Sequence, residues 1–170
     1  YWDDTYSGSG CVTCDLSLLS GGLGQLTDGV VATQNWNIVE APAGPGPYVG
    51  WLNIDPTITF HFGSSVAVDS VTVHLDDSGF GLVSAPTSVT IGASTYNVID
   101  PSGTDPFAFT VSGLGFVGTD MVVTINRTNN WSFVSEITFQ SPVPEAGTSA
   151  MLLAGLGVLA GLIRRRKRHA

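Results

Sequence analysis

Basic residues are nearly absent from the first 163 positions of this 170-residue chain: Arg127 stands alone, and no lysine precedes Lys167. Acidic residues number 14, spread from Asp3 to Glu145, so the body through Val143 has 13 acids and one base, net −12. A surface with one cation cannot neutralise a row of phosphates, which excludes nucleic-acid binding as the main task and disfavours polyanions generally. Thiols are equally scarce. Cys11 and Cys14 form a CxxC with no second pair elsewhere. A zinc site would need distant partners, and a redox motif would need a helix start in a βαβ setting that the pattern lacks. A local disulfide in an exported chain is the expectation. Also missing are a GxSxG elbow and any marked pair of facing carboxylates, so no catalytic residue is assigned. At 17.7 kDa the chain has enough length for one core of ordinary size.

Long apolar runs are missing too, except at the end. Residues 146–163 hold no charge, and 151–163 contain only Met, Leu, Ala, Gly, Val and Ile. As a helix these 18 residues would span about 27 Å, close to the hydrocarbon thickness of a bilayer. Arg164, Arg165, Arg166, Lys167 and Arg168 follow directly, and such a cluster stays on the cytoplasmic side, leaving the body outside. The chain starts at Tyr1 with neither methionine nor apolar leader, as expected after removal of a signal peptide.

Ahead of the apolar stretch stands Val143-Pro144-Glu145-Ala146. The order Pro-Glu, apolar span, terminal basic cluster resembles the PEP-CTERM protein-sorting signal of bacteria, with Ala146 where that family usually has a second proline. The resemblance implies a membrane hold that an exosortase-type transpeptidase recognises and cleaves, on proteins accompanying exopolysaccharide or biofilm production. Pro144 and Glu145 would be the sorting signal.

Between Tyr48 and Gln140 the pattern is period-two alternation. Ile58, Phe60 and Phe62 share one face, with Thr59 and His61 opposite; Val71, Val73 and Leu75 repeat it, with Thr72 and His74 opposite. Shorter runs cover 87–91, 95–99, 107–111, 121–125 and 131–139. Turn clusters separate them: Asp76-Asp77-Ser78-Gly79, Gly92-Ala93-Ser94, Pro101-Ser102-Gly103 and Asn129-Asn130. Strands at this spacing, without a long helix before residue 146, predict an all-β antiparallel sandwich. The Asp76-Asp77 cluster reads as a solvated hairpin turn. Gly113-Leu114-Gly115-Phe116-Val117-Gly118 matches GxGxxG but precedes a strand, so it reads as a glycine-rich hairpin rather than a dinucleotide site.

Leu26-Thr27-Asp28-Gly29 with Trp36, Ile58-Thr59-Phe60-His61-Phe62-Gly63 with Val71-Thr72-Val73, and Phe133-Val134-Ser135-Glu136-Ile137 occur in this order. Together they resemble the discoidin, or coagulation-factor C-type, branch of the galactose-binding-like jelly rolls. The chain then divides into an N-terminal CxxC segment (1–19), a discoidin-like sandwich (20–141) and a sorting tail (142–170). The resemblance departs at His61, where many relatives carry an acid, and in a short N-terminal end, where the first strand of the family pattern is not expected.

This resemblance implies a structural Ca²⁺ held by Asp28, Thr33 and Glu136, the ion drawing its six to eight oxygens from carboxylates and loop carbonyls. The alternative is that Asp28 only forms a turn while Glu136 caps backbone amides. It also implies sugar binding on loops at one end of the sandwich, with an aromatic ring under the sugar's C–H face and polar groups on its hydroxyls. Tyr48, Trp51 and Phe80 are the aromatic candidates, and Asp77 and Asn130 the polar ones; Trp36 and Trp131 read as packing. Arg127 reads as a surface ion pair, and His61 and His74 as lightly buried histidines on strands that could be neighbours. The expected function is a noncatalytic, membrane-tethered module of the envelope or extracellular matrix that binds a neutral polysaccharide. Its rivals are a structural matrix protein without a sugar site and a small glycan-active hydrolase.

Overall fold

The computed structural model describes residues 1–3, 25–40 and 46–142. In chain order the elements are β1 (Trp2–Asp3), α1 (Trp36–Val39), β2 (Val49–Leu52), β3 (Thr57–Val68), β4 (Ser70–Leu75), a 3-10 turn (Phe80–Leu82), β5 (Ser88–Ile91), β6 (Ser94–Asn97), β7 (Phe107–Val111), β8 (Phe116–Asn126) and β9 (Trp131–Gln140). Two sheets result, one ordered β1-β3-β8-β5-β6 and the other β2-β9-β4-β7. Every strand pair within them is antiparallel. The expected all-β antiparallel sandwich is what forms.

Alternation explains the core. Ile58 and Phe60 on β3 and Met121, Val123 and Ile125 on β8 bury one face of the first sheet. Val71, Val73 and Leu75 on β4, with Val134 and Ile137 on β9, bury the facing side of the second. Burying these aliphatic side chains supplies the main driving force for closing the two layers. On the opposite side of β3, His61 contacts the carboxylate of its cross-strand partner Asp120.

The connections hold most of the departures from expectation. Among the described strands only β5 and β6 form a local hairpin, through the expected Gly92-Ala93 turn. Asp76-Asp77-Ser78-Gly79 is not a solvated hairpin turn: it carries the chain from β4 in one sheet toward β5 in the other, and both aspartates are buried. Gly113–Gly115 is likewise a crossover from β7 to β8 rather than a hairpin. His61 and His74 lie in different sheets and are not neighbours. The N-terminal end does contribute a strand, since β1 pairs with β3 at Thr59 and Ile58. β2, four residues behind a Gly-Pro-rich stretch, was too short for alternation to reveal.

β9 joins the two ends of the molecule. It starts at Trp131 beside α1 and the 3-10 turn, here called the aromatic end. It finishes at Gln140, whose carbonyl accepts the Asp69 N–H; the Asp69 carbonyl in turn accepts the Leu114 N–H. A register shift opposite His74 and Leu75 inserts Ser135 as an extra residue. No helix among the described residues is long and apolar enough to cross a membrane. The expected span at 146–163, the sorting residues Pro144 and Glu145, the basic end 164–168 and the Cys11–Cys14 pair lie outside the described residues.

Candidate functional site

Asp76, at the end of β4, organises the aromatic end. Its carboxylate accepts the Trp36 N–H at 2.6 Å and the Ser78 N–H at 2.8 Å, tying α1 to the crossover that follows β4. The Tyr48 hydroxyl also reaches Asp76 and lies 3.0 Å from the Gln34 carbonyl. Burial first, and then the Asp76 charge, push the Tyr48 phenol far above its ordinary value, so it serves only as a neutral group. Glu40, just past α1, accepts the Tyr48 N–H at 2.7 Å and the Gly46 N–H at 2.9 Å. Burial raises its carboxyl, and those two amides pull it back.

The Trp36 ring stacks on Phe133 at 5.0 Å and 12° and meets Phe80 at 5.9 Å. Trp131 lies 5.4 Å from Phe133, and Tyr48 meets the Phe133 edge at 6.1 Å. Two glycines make room. A Cβ on Gly50 would fall 2.6 Å from the Phe133 ring, and one on Gly81 would fall 3.0 Å from the Trp36 ring. Gly79, Gly81 and Leu82 all have positive φ, and this turn carries Phe80 outward with its side chain 60% exposed. Leucine in that region is strained, a feature that clusters at functional sites.

Polar groups border this surface. Asp77 is buried and accepts the Ala85 N–H at 2.8 Å. Burial raises its carboxyl, the Ala85 amide opposes that, and contact with the Asp100 carboxyl raises it further. Asn35 donates to the Thr104 carbonyl at 2.7 Å, while its own Oδ1 and the Ser78 Oγ are enclosed without a hydrogen-bond partner. Unsatisfied atoms of this kind are uncommon in folded proteins, and a ligand hydroxyl or a water can satisfy them. The 128–130 loop closes the same end: Thr128 donates to the Ala85 carbonyl, and Asn129 to Ser84. Asn130 is exposed there. Arg127 pairs with Asp55 at 2.9 Å, as expected of a surface ion pair.

The fold therefore brings Phe80, Asp77 and Asn130 to one end of the sandwich. It removes Trp51 and Tyr48 from the sugar-contact set, because both are buried, Trp51 within the core. Trp51 sits on β2 opposite Ser132 of β9 and faces inward. Asn35 and Asp100 carry no signal in the sequence and Asp76 reads there as a turn residue, since nothing local to them tells that three separated segments converge.

Asp28 and Glu136 are also brought together. Glu136 accepts the Gly29 N–H at 3.3 Å, Asp28 accepts the Val30 N–H at 2.8 Å, and the Ala32 N–H donates to Ser135 Oγ at 3.2 Å. Burial raises the Glu136 carboxyl and the nearby Asp28 charge adds to it, against the Gly29 amide. Two converging acids, one of them desolvated, fit the carboxylate share of a calcium site. The amide bonds equally match a turn former and a cap. Thr33 is exposed and bonds to neither acid. Among the described residues no three His, Cys, Asp or Glu side chains group around a metal position.

A cavity of about 300 Å³ lies toward the opposite end, lined by Ile91, Tyr96, Leu114, Phe116 and Met121 with Asp120 at its edge. None of the expected site residues borders it.

Residues 142–167 match the PEP-CTERM protein-sorting motif. The expected sorting tail is thus present, and it marks an exported protein sorted through its C-terminal end. No curated protein matches the chain. Among solved structures it is similar to one described as "CBM32 of AlyQ in complex with 4,5-unsaturated mannuronic acid", with 18% identity, a TM-score of 0.39, and coverage of 56% of this chain and 78% of that one.

Proposed function

We propose that this exported protein is a noncatalytic module that binds neutral glycans at its aromatic end while its sorting tail holds it at the membrane until it is sorted. The observation that carries this reading is Phe80, a 60% exposed ring propped on Trp36 and flanked by polar groups from three segments. A sugar's C–H face packs on such a ring, and its hydroxyls bond to the exposed Asp100 and Asn130, with the buried Asp77 behind holding Asp100 in place. The net charge of −12 in the body repels acidic polymers and favours uncharged ones. A calcium ion at Asp28 and Glu136 belongs to the same reading, as a clamp on the scaffold rather than a participant in binding.

The acid pair beside the ring does not suit hydrolysis. Asp77 and Asp100 are in hydrogen-bond contact, closer than the ~5–9 Å that cleavage of a glycosidic bond requires. A structural matrix role without sugar binding draws support from the apolar side chains around the ledge, since Ile38 and Leu82 are each more than half exposed. A glycan array separates the two. Neutral glycans should be captured by the wild type and lost on Phe80→Ala, with thermal stability unchanged because the side chain is mostly in solvent. An empty array, or capture that survives the substitution, would favour the matrix role.

A further inference from the structure

The aromatic end and the sorting tail leave the domain at opposite ends of one strand. β9 has 10 residues, Trp131–Gln140, and at the usual rise its ends are about 30 Å apart. Trp131 belongs to the aromatic cluster. Gln140 is bonded to Asp69, and Asp69 to Leu114, so Ser112 and Val117 share the tail end. From Gln140 to Ala146, where the uncharged stretch begins, there are six residue steps including Pro142 and Pro144. Six steps reach at most ~22 Å.

With the uncharged stretch in a bilayer, the connection is shorter than the strand, so the tail end is kept near the lipid. No spare charge draws the domain down onto it: the body's one cation, Arg127, is engaged by Asp55, and its acids are repelled by anionic headgroups.

We propose that the domain stands on its tail end and presents the Phe80 ledge away from the anchoring membrane. Its ligand is then a glycan chain lying beyond the membrane, not the sugar headgroup of a glycolipid in that same bilayer. This rests on the tethered reading above, and the test separates the two.

Full-length protein is reconstituted in phosphatidylcholine vesicles containing dansyl-labelled lipid, and tryptophan-to-dansyl energy transfer is compared for Val117→Trp and Phe80→Trp. Val117 is 72% exposed and Phe80 60% exposed, so both accept a larger ring. Added transfer should be several-fold larger from Val117→Trp. Equal transfer from the two positions, or more from Phe80→Trp, overturns the orientation. Ser112→Trp replaces Val117→Trp if thermal melts show the latter unfolded. Flotation of the wild type with the vesicles is read independently: failure to float removes the tether, and the orientation with it, while flotation with the wrong transfer order removes the orientation alone.

Discussion

Asp77 keeps one carboxylate oxygen on the Ala85 amide at 2.8 Å, while its side chain also meets Asp100. Burial and the neighbouring acid both raise its pKa in the folded protein. A carboxyl whose folded value lies above its unfolded one favours folding while protonated. That contribution is present below the unfolded value and is lost as pH rises through the folded value. Glu40 and Glu136 are raised by burial and act in the same direction. Asp100→Asn removes the like charge and leaves a donor in its place. The melting temperature should therefore rise by a few degrees at pH 7 and change little near the carboxyl range, giving a shallower pH dependence that Glu40 and Glu136 keep from vanishing. Melts across this range check it, and an unaltered slope would show that the two aspartates do not act on each other.

At the scale of elements, β9 depends on a segment that is not itself a strand. Where β2 ends its pairing at Val134, residues 26–32 take over the edge: Ile137 N–H donates to the Leu26 carbonyl at 2.8 Å, and Ser135 and Glu136 hold the amides of Ala32 and Gly29. The extra residue at Ser135 lets consecutive side chains serve the same segment. Leu26 drives it into the core, where it is fully buried. Leu26→Ala should cost about 2–5 kcal/mol, as lost burial plus the cavity left behind. Ile38→Ala, on the exposed side of α1, should stay within about 0.5 kcal/mol. Denaturant titration measures both, and similar losses would mean that Leu26 is not a core anchor.

Across the whole molecule, the chain changes sheets at nearly every connection, so both layers must assemble together. Asp28 and Glu136 sit near opposite ends of the described chain, and a clamp there would join the first loop to the last strand. A ligand that binds only the folded state raises its stability, by about 2.7 kcal/mol at a hundredfold excess over Kd. Calcium should shift the melt upward and chelator downward, and Glu136→Gln should abolish the difference between the two. A wild type indifferent to calcium would leave Glu136 as an amide cap.

Composition and periodicity determined the all-β class, the facing core positions, the acidic body and the sorting tail, because each is written in neighbouring residues: a period of two, a missing charge, an apolar stretch before a basic cluster. The tertiary structure decided which residues can meet a ligand. Tyr48 and Trp51 resembled surface aromatics beside a Gly-Pro-rich loop, yet Trp51's strand places it inward. Asp76 and Asp77 resembled a turn, yet the crossover they occupy is buried and reaches back to Trp36 and Ala85. Whether a turn cluster closes a hairpin or carries the chain to the other sheet depends on strand pairing between distant segments, which no local pattern encodes.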